Sequence, residues 1–351
     1  MSKIRFGIIG AGAISQGAAI ELAGMAEVEV VAIADPSLER ANALADKAKI
    51  AKRYASGEEL IADPTIDAIY VAVPNKFHAP LAAAALKAGK HVILDKPFAL
   101  SLAEAEGVAA AAKSSGKLLM LGMNQRFAQP MQRIRRLVMD GVLGEVYHGK
   151  AFWVRRAGSP KQGTWFTRKE LAGGGALLDI GVHVLDLGCW LMGNWKPVAV
   201  TGRAYTKLGQ RGLGEGGWGM SEKTDAPFDV DDFATALITF ADGATLSLDA
   251  SWVLHQKEGD RNGVQLHGSE GGATTNPCEL FRFGDGKGSY RVDQNPFAEP
   301  LWAHGSRFRN FVLAILGKEA PAVTVAESLV VQKIIDGIYE STRTGREVRL
   351  G

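Results

Sequence analysis

The sequence predicts two domains of different class: an α/β doubly wound parallel sheet, then an α+β domain with a large, mostly antiparallel open sheet. Three observations predict this. Up to about residue 123, short apolar runs alternate with alanine-rich or capped helical stretches. After Asn124 that alternation stops, and strand-like runs joined by hairpin signals take over. The length, 351 residues, suits one large domain or two ordinary ones. The expected boundaries are 1–123 and 124–351.

The first domain opens with KIRFGII (3–9), a short buried strand, followed by Gly10-Ala11-Gly12-Ala13-Ile14-Ser15 and an alanine-rich helix to about Met25. The next strand, Val28 to Ala34, ends at Asp35. Strand, glycine turn, helix, strand and acid form a dinucleotide fingerprint in its proper context. Gly10 lets the chain turn tightly, and Gly12 removes a Cβ so that backbone can approach a pyrophosphate. The helix N-terminus offers free N–H groups and a positive dipole end. Ser15 replaces the third glycine, where helix packs on strand. A carboxylate at Asp35 can accept both ribose hydroxyls and repels a 2′-phosphate. No arginine follows immediately, and Arg40 lies a helical turn on. NAD is therefore favoured over NADP.

Further β and α stretches follow in alternation. Ser56-x-x-Glu59 and Ser101-x-x-Glu104 are capping boxes that open helices. Strands are expected at 67–73, 91–94 and 117–123. Ligands on such sheets bind at the carboxyl ends of strands. Gly12, Asp35, Pro74, Asn75, Lys96 and Asn124 all lie at or just beyond such ends. Lys96 stands out, because an ammonium at the mouth of the buried strand Val92-Ile93-Leu94 is costly unless it has a purpose.

In the second domain, Phe127–Asp140 has the pattern of an amphipathic helix. Phe233–Phe240 and Ala244–Trp252 read as strands joined at Ala241-Asp242-Gly243. Shorter strands are expected near 263–267, 279–283 and 289–292, then helices over 306–316 and from a Thr324-x-x-Glu327 capping box to about Thr342. The glycine-rich GQRGLGEGGWG (209–219) reads as a flexible loop between strands, with a lid carrying Trp218 as the alternative.

Composition is that of a globular protein. A net charge of +2 gives no reason to expect nucleic acid or a membrane surface as partner. Cys189 and Cys278 form no CxxC pair, which argues against a disulfide framework or a thiolate zinc site. The N-terminus shows no signal-peptide pattern, and no apolar run is expected to reach membrane-spanning length. A cytoplasmic enzyme or binding protein is the expectation.

Residues 173–190, GGGALLDIGVHVLDLGCW, hold a second constellation. Helical spacing puts Asp179 and His183 on one face, with Asp186 near it. Three readings stand side by side: an acid and imidazole that satisfy each other in a polar core, a metal pair lacking an evident third ligand, or general acid–base catalysis with Asp179 orienting His183. Lys96 supplies a cation that would keep the imidazole available as a base.

With these landmarks in place, GAGAIS (10–15), VPNKFH (73–78), DKP (95–97), GMNQRF (122–127), GGGALLDIGVHVLD (173–186) and TGREVRL (344–350), the chain resembles the Gfo/Idh/MocA family over nearly its whole length. The resemblance implies a Rossmann domain, then a substrate-binding and oligomerisation domain. It implies Lys96, Asp179 and His183 as the catalytic set. It places Gly10, Gly12, Ala13, Ile14, Ser15, Asp35, Pro74, Asn75, His78, Asp95, Lys96, Pro97 and Asn124 on the cofactor side. It places Lys96, Asn124, Arg155, Arg156, Trp165, Asp179 and His183 around the substrate. Asp95 departs from the family's usual glutamate.

The activity implied is hydride transfer between NAD and a secondary alcohol or ketone of a sugar or cyclic polyol, without metal. A homodimer or homotetramer through the C-terminal sheet is expected. Two other functions remain open: a redox-neutral, NAD-dependent glycoside-cleaving enzyme, and a catalytically silent NAD-binding regulator. A turnover assay, and release of an aglycone without net cofactor reduction, separate them.

Overall fold

The structure, a computed structural model, describes residues 3–219, 226–284 and 288–351. It divides into two compact units, Met1–Met123 with Ser306–Leu329, and Asn124–Gly305 with Val330–Gly351.

In the first unit the chain runs β1 (Ile4–Ile9), α1 (Ala13–Ala23), β2 (Val28–Ala34), α2 (Leu38–Ala48), β3 (Lys52–Tyr54), α3 (Gly57–Ala62), β4 (Ala68–Val71), α4 (His78–Lys87), β5 (His91–Leu94), α5 (Leu102–Ser115) and β6 (Leu119–Leu121). The six strands form one parallel sheet in the order β3-β2-β1-β4-β5-β6. This is the doubly wound order of dinucleotide-binding domains, with its switch point between β1 and β4. Helices cover both faces of such a sheet, so its central strands are apolar throughout. Accordingly Val92, Ile93 and Leu94 are fully buried. The capping boxes form as read: Ser56 Oγ accepts from Glu59 N, and Ser101 Oγ from Glu104 N.

The second unit contains a 3₁₀ turn (Asn124–Phe127), α6 (Gln129–Met139), β7 (Val146–Val154), α7 (Lys169–Ala172), a π turn (Leu177–Gly181), α8 (Val182–Met192), β8 (Pro197–Tyr205), β9 (Phe233–Phe240), β10 (Thr245–Ser251), β11 (Arg261–Gly268), β12 (Gly272–Thr275), β13 (Cys278–Phe283) and β14 (Tyr290–Gln294). The chain ends with α9 (Arg307–Ile315), α10 (Val325–Thr344) and β15 (Val348–Arg349). Nine strands make one sheet in the order β14-β13-β12-β11-β7-β10-β9-β8-β15. All pairings are antiparallel except β7 with β10. Gly149, Leu246 and Leu266 turn to the face that α8 covers. Lys150, Ser247, Gln265 and Leu237 share one register row on the opposite, open face.

Four expectations need correction. Segment 306–329, expected in the C-terminal domain, groups with the first unit. The reason is aromatic packing: Phe311 meets Phe6 at 6.0 Å and Phe308 meets Tyr70 at 5.0 Å, both edge-on. Secondly, Lys169–Met192 is long and apolar enough for a membrane span, against the expectation that no run is. Its most apolar window is 89% buried inside the fold, as a core helix is. Thirdly, Asp179 does not lie on regular α-helix but in the π turn, a widened turn often found at functional sites. Fourthly, the glycine-rich stretch 209–219 is tied down rather than loose. Gly214 O accepts from Gly158 N and Ser159 N, Gly216 N donates to Ser159 O, and Lys161 N donates to Trp218 O. Trp218 donates its indole N–H to Gly158 O at 2.9 Å.

Candidate functional site

In the first unit the predicted cofactor residues gather at the carboxyl ends of β1, β2, β4 and β5. Gly10 has φ +101°, and a Cβ there would lie 2.1 Å from Ala72 O, so only glycine fits this turn. Above Gly12 the space is open, with nothing within 4 Å of an added Cβ. No side chain caps α1, which starts at Ala13, so its first N–H groups face that open space. On α1, Ile14 is exposed, while Ser15 is fully buried. An uncapped helix start, an open glycine and an acid at the end of β2 suit a dinucleotide pyrophosphate and ribose.

Asp35 is more constrained than the sequence suggests. Its Oδ2 accepts from Ala11 N at 2.8 Å, which ties the glycine turn to the end of β2. Its Oδ1 accepts from Ser37 N at 2.8 Å and from Arg40 Nε and Nη2 at 3.2 and 3.1 Å. Arg40 therefore offsets part of the charge that was to exclude a 2′-phosphate.

Pro74 precedes a 3₁₀ turn, Asn75–Phe77, and Asn75 is buried. His78 is buried with Nδ1 2.7 Å from Pro97 O and Nε2 2.9 Å from Val73 O. Burial pushes its pKa down. The ring lies between the two loops, and as a neutral imidazole, with one N–H, it donates to one of these two carbonyls. Asp95 likewise turns its carboxylate to Arg307, whose Nη1 is 2.9 Å from Oδ1. Lys96, between them, is half-buried, and the Lys96–Pro97 peptide is cis.

In the second unit, from Gly174 to Met192 every residue is buried except Asp179 and His183, which are partly exposed. A helix otherwise committed to the core thus opens to solvent at one acid and one imidazole. Trp252, fully buried, donates its indole N–H to Asp179 Oδ2 at 2.9 Å. Trp153 lies beside His183, with ring centroids 5.9 Å apart. Ala176, Ile180, Val230 and Ala250 pack around Trp252 and hold it in place.

The start of this helix is fixed by Asp231. Its Oδ1 accepts from Gly175 N and Tyr339 Oη at 2.8 Å each, and its Oδ2 from Leu177 N at 2.9 Å. Burial nevertheless pushes the carboxyl up. The glycine run is explained by crowding. A Cβ on Gly174 would lie 1.9 Å from Tyr339 Oη, and one on Gly175 would lie 1.8 Å from Asp231 O.

Asp186 is one turn deeper and fully buried, paired with Arg126 through Nε at 2.8 Å and through Nη2. Arg126 also lies over Trp195 and Trp190, at 5.1 and 5.8 Å. This pair fastens the turn that carries Asn124, itself exposed, to α8. The remaining predicted substrate residues are spread out. Arg155 binds Asp260 and lies over Trp153, Arg156 donates to Lys257 O, and Trp165 stacks on Phe166 at 3.8 Å.

Sequence reasoning missed Trp252, Asp231, Arg126 and Arg307. Trp252 closes a predicted strand, Asp231 precedes one, Arg126 lies inside GMNQRF, and Arg307 follows a helix cap. Nothing local distinguishes them, because each acts on a residue at least 56 positions away. Among the described residues, no group of three or more His, Cys, Asp or Glu side chains is placed to hold a metal ion.

Residues 4–123 match the oxidoreductase family with the NAD-binding Rossmann fold, and residues 131–274 match the GFO/IDH/MocA C-terminal domain. The chain is 32% identical over 351 residues to the D-glucoside 3-dehydrogenase of Escherichia coli strain K12, spanning 99% of this chain and 98% of that one. It is 30% identical over 304 residues to the levoglucosan dehydrogenase of Pseudarthrobacter phenanthrenivorans, spanning 79% and 74%. Among solved structures, GenD2 from gentamicin A biosynthesis in complex with NAD aligns at TM-score 0.81 and 26% identity, over 100% of this chain and 97% of that one. Levoglucosan dehydrogenase in complex with NADH and levoglucosan aligns at TM-score 0.84 and 24% identity, over 99% and 100%, a likeness of fold. With the family's two domains matched one after the other along the chain, the protein belongs to the Gfo/Idh/MocA family of NAD-dependent oxidoreductases.

Proposed function

We propose that the protein oxidises a secondary alcohol of a sugar or cyclic polyol, or reduces the corresponding ketone. The observation that carries this is the pair of partly exposed groups, Asp179 and His183, on an otherwise buried helix. Solvent access spares these two groups the cost of full burial and leaves an acid and a base where a substrate can reach them. Full-length likeness to a D-glucoside 3-dehydrogenase supports a glycoside or related pyranose as substrate.

Bound NAD supplies the acceptor for the substrate's hydride. His183 takes the hydroxyl proton as that hydride leaves. Asp179, held from behind by Trp252, orients the imidazole and balances its charge. Lys96 stabilises the alkoxide as it forms. A placed base is worth about 10² to 10⁴ in rate, and a charge stabiliser in a dry site a comparable factor. Gly10, Gly12 and the start of α1 would hold the pyrophosphate, and Asp35 the adenosine ribose.

Self-association through the open face of the nine-stranded sheet belongs to the same proposal. Leu237, Phe283, Tyr290 and Val292 are exposed there, as an unpaired face of an antiparallel sheet allows.

The deciding assay combines the protein with NAD or NADP and a panel of glycosides, monosaccharides, anhydro-sugars and inositols, and follows reduced nicotinamide. His183→Asn, Asp179→Asn and Lys96→Ala should each lower kcat by about 10² or more while NAD affinity holds within a few-fold. Wild-type turnover in all three variants would refute the assignment.

A further inference from the structure

Lys96 is flanked by two neighbours that are each in contact with a buried side chain, Arg307 on one side and His78 on the other. On one side, Asp95 Oδ1 accepts from Arg307 Nη1 at 2.9 Å, and Asp95 N donates to Val71 O at 2.9 Å. Arg307 reaches further: Nη1 also donates to Gly122 O at 2.7 Å, and Nη2 to Tyr70 Oη at 3.0 Å. Its guanidinium is packed over the Phe308 ring at 4.9 Å. One side chain therefore joins the ends of β4, β5 and β6. On the other side, Pro97 O lies 2.7 Å from His78 Nδ1, while His78 Nε2 lies 2.9 Å from Val73 O. His78 is 1% and Arg307 9% exposed.

An arginine removed from water at this depth is strongly destabilising without a partner. Here the partner is the residue next to Lys96, and the arginine comes from α9, more than 200 positions along the chain. A fold needing only to close this sheet has cheaper means, because an apolar pair of similar volume is often as stable as a buried ion pair. What the arrangement adds is direction. With residues 95 and 97 both held, the backbone at 96 has little freedom, and the lysine leaves the strand end along a set path. Reaction rates fall steeply when a catalytic group is misplaced by as little as 1 Å.

We propose that Arg307 and His78 are positioning residues that aim Lys96, acting through Asp95 and Pro97 and touching neither substrate nor cofactor. This rests on Lys96 being the group that stabilises alkoxide charge. The clamp also accounts for aspartate at position 95: Asp95 answers to Arg307 and not to the cofactor.

The test uses the full-length protein with its best substrate and NAD. Since Arg307→Met alone leaves Asp95 uncompensated and threatens folding, it is paired with the double variant Arg307→Met/Asp95→Asn, and with His78→Asn. Each folded variant should lose kcat by about ten- to a hundredfold, with KM and NAD affinity changed less than about threefold. In a Lys96→Ala background the same changes should cost nothing further, because the group they aim is gone. A purely structural role would lower the residual rate there as well, and that result overturns the proposal. So does wild-type kcat in both His78→Asn and the double variant while Lys96→Ala is inactive; the reading of Lys96 then survives without its clamp. Full turnover in Lys96→Ala overturns both.

Discussion

The indole N–H of Trp252, fully buried, ends 2.9 Å from Asp179 Oδ2. A donor fixed there holds the carboxylate in place at the π turn. Trp252→Phe keeps most of the ring and removes the donor. A hydrogen bond to a charged group is worth about 1.5–3 kcal/mol. We therefore expect kcat to fall about tenfold or more, with NAD affinity unchanged by fluorescence titration. An unaltered kcat would mean that Asp179 is held by other contacts.

Cofactor choice turns on Asp35 and Arg40 together. Because Arg40 covers Asp35 at 3.1 Å, Arg40→Ala exposes an uncompensated carboxylate and removes a possible partner for a 2′-phosphate. The ratio of dissociation constants, NADP over NAD, should rise at least severalfold. Asp35→Ser should shift the ratio the other way. It should also weaken NAD itself, since Ala11 N loses its acceptor. Titration with both nucleotides reads the two effects, and an unchanged ratio in both variants would clear this pair of any part in discrimination.

The pair of Arg126 and Asp186 is a stability prediction. Both side chains are essentially out of solvent. Arg126→Met strands Asp186 and should cost about 3–5 kcal/mol, whereas Arg126→Met/Asp186→Leu should regain much of that. Chemical denaturation followed by tryptophan fluorescence compares them, since Trp190 and Trp195 lie against the guanidinium. Equal losses in the single and double variants would mean that packing, not charge, dominates.

Asp63 sets an acid limit on the first unit. Burial opposes its ionisation, yet Lys52, Thr65 and Tyr54 all donate to it and hold its pKa well below the usual carboxylate range. A folded pKa below the unfolded one gives stability that is complete above the unfolded value and is lost as pH falls through the folded one. Asp63→Asn should therefore lower Tm at neutral pH, and the gap from wild type should narrow progressively below about pH 4. A gap constant between neutral and strongly acidic pH would show that the charge is not what stabilises this corner.

Much of this architecture is legible in one dimension because it rests on local physics. Gly10 and Gly12 turn the chain whatever lies elsewhere, and Ser56 and Ser101 cap helices from three residues away. The apolar run at 92–94 is buried because a parallel sheet is covered on both faces. The candidate residues at 96, 179 and 183 are visible too, because Lys, Asp and His stand out against the apolar residues around them.

What tertiary structure alone decided is how those side chains are held. Trp252 reaches Asp179 from 73 positions away, and Arg307 reaches Asp95 from 212. Neither distance leaves a trace in spacing or periodicity, because long-range contacts are made by folded surfaces and not by chain neighbours. The π turn was hidden likewise. It follows two glycines that Tyr339 and Asp231 approach too closely for a Cβ, and a helical repeat read from sequence registers neither contact.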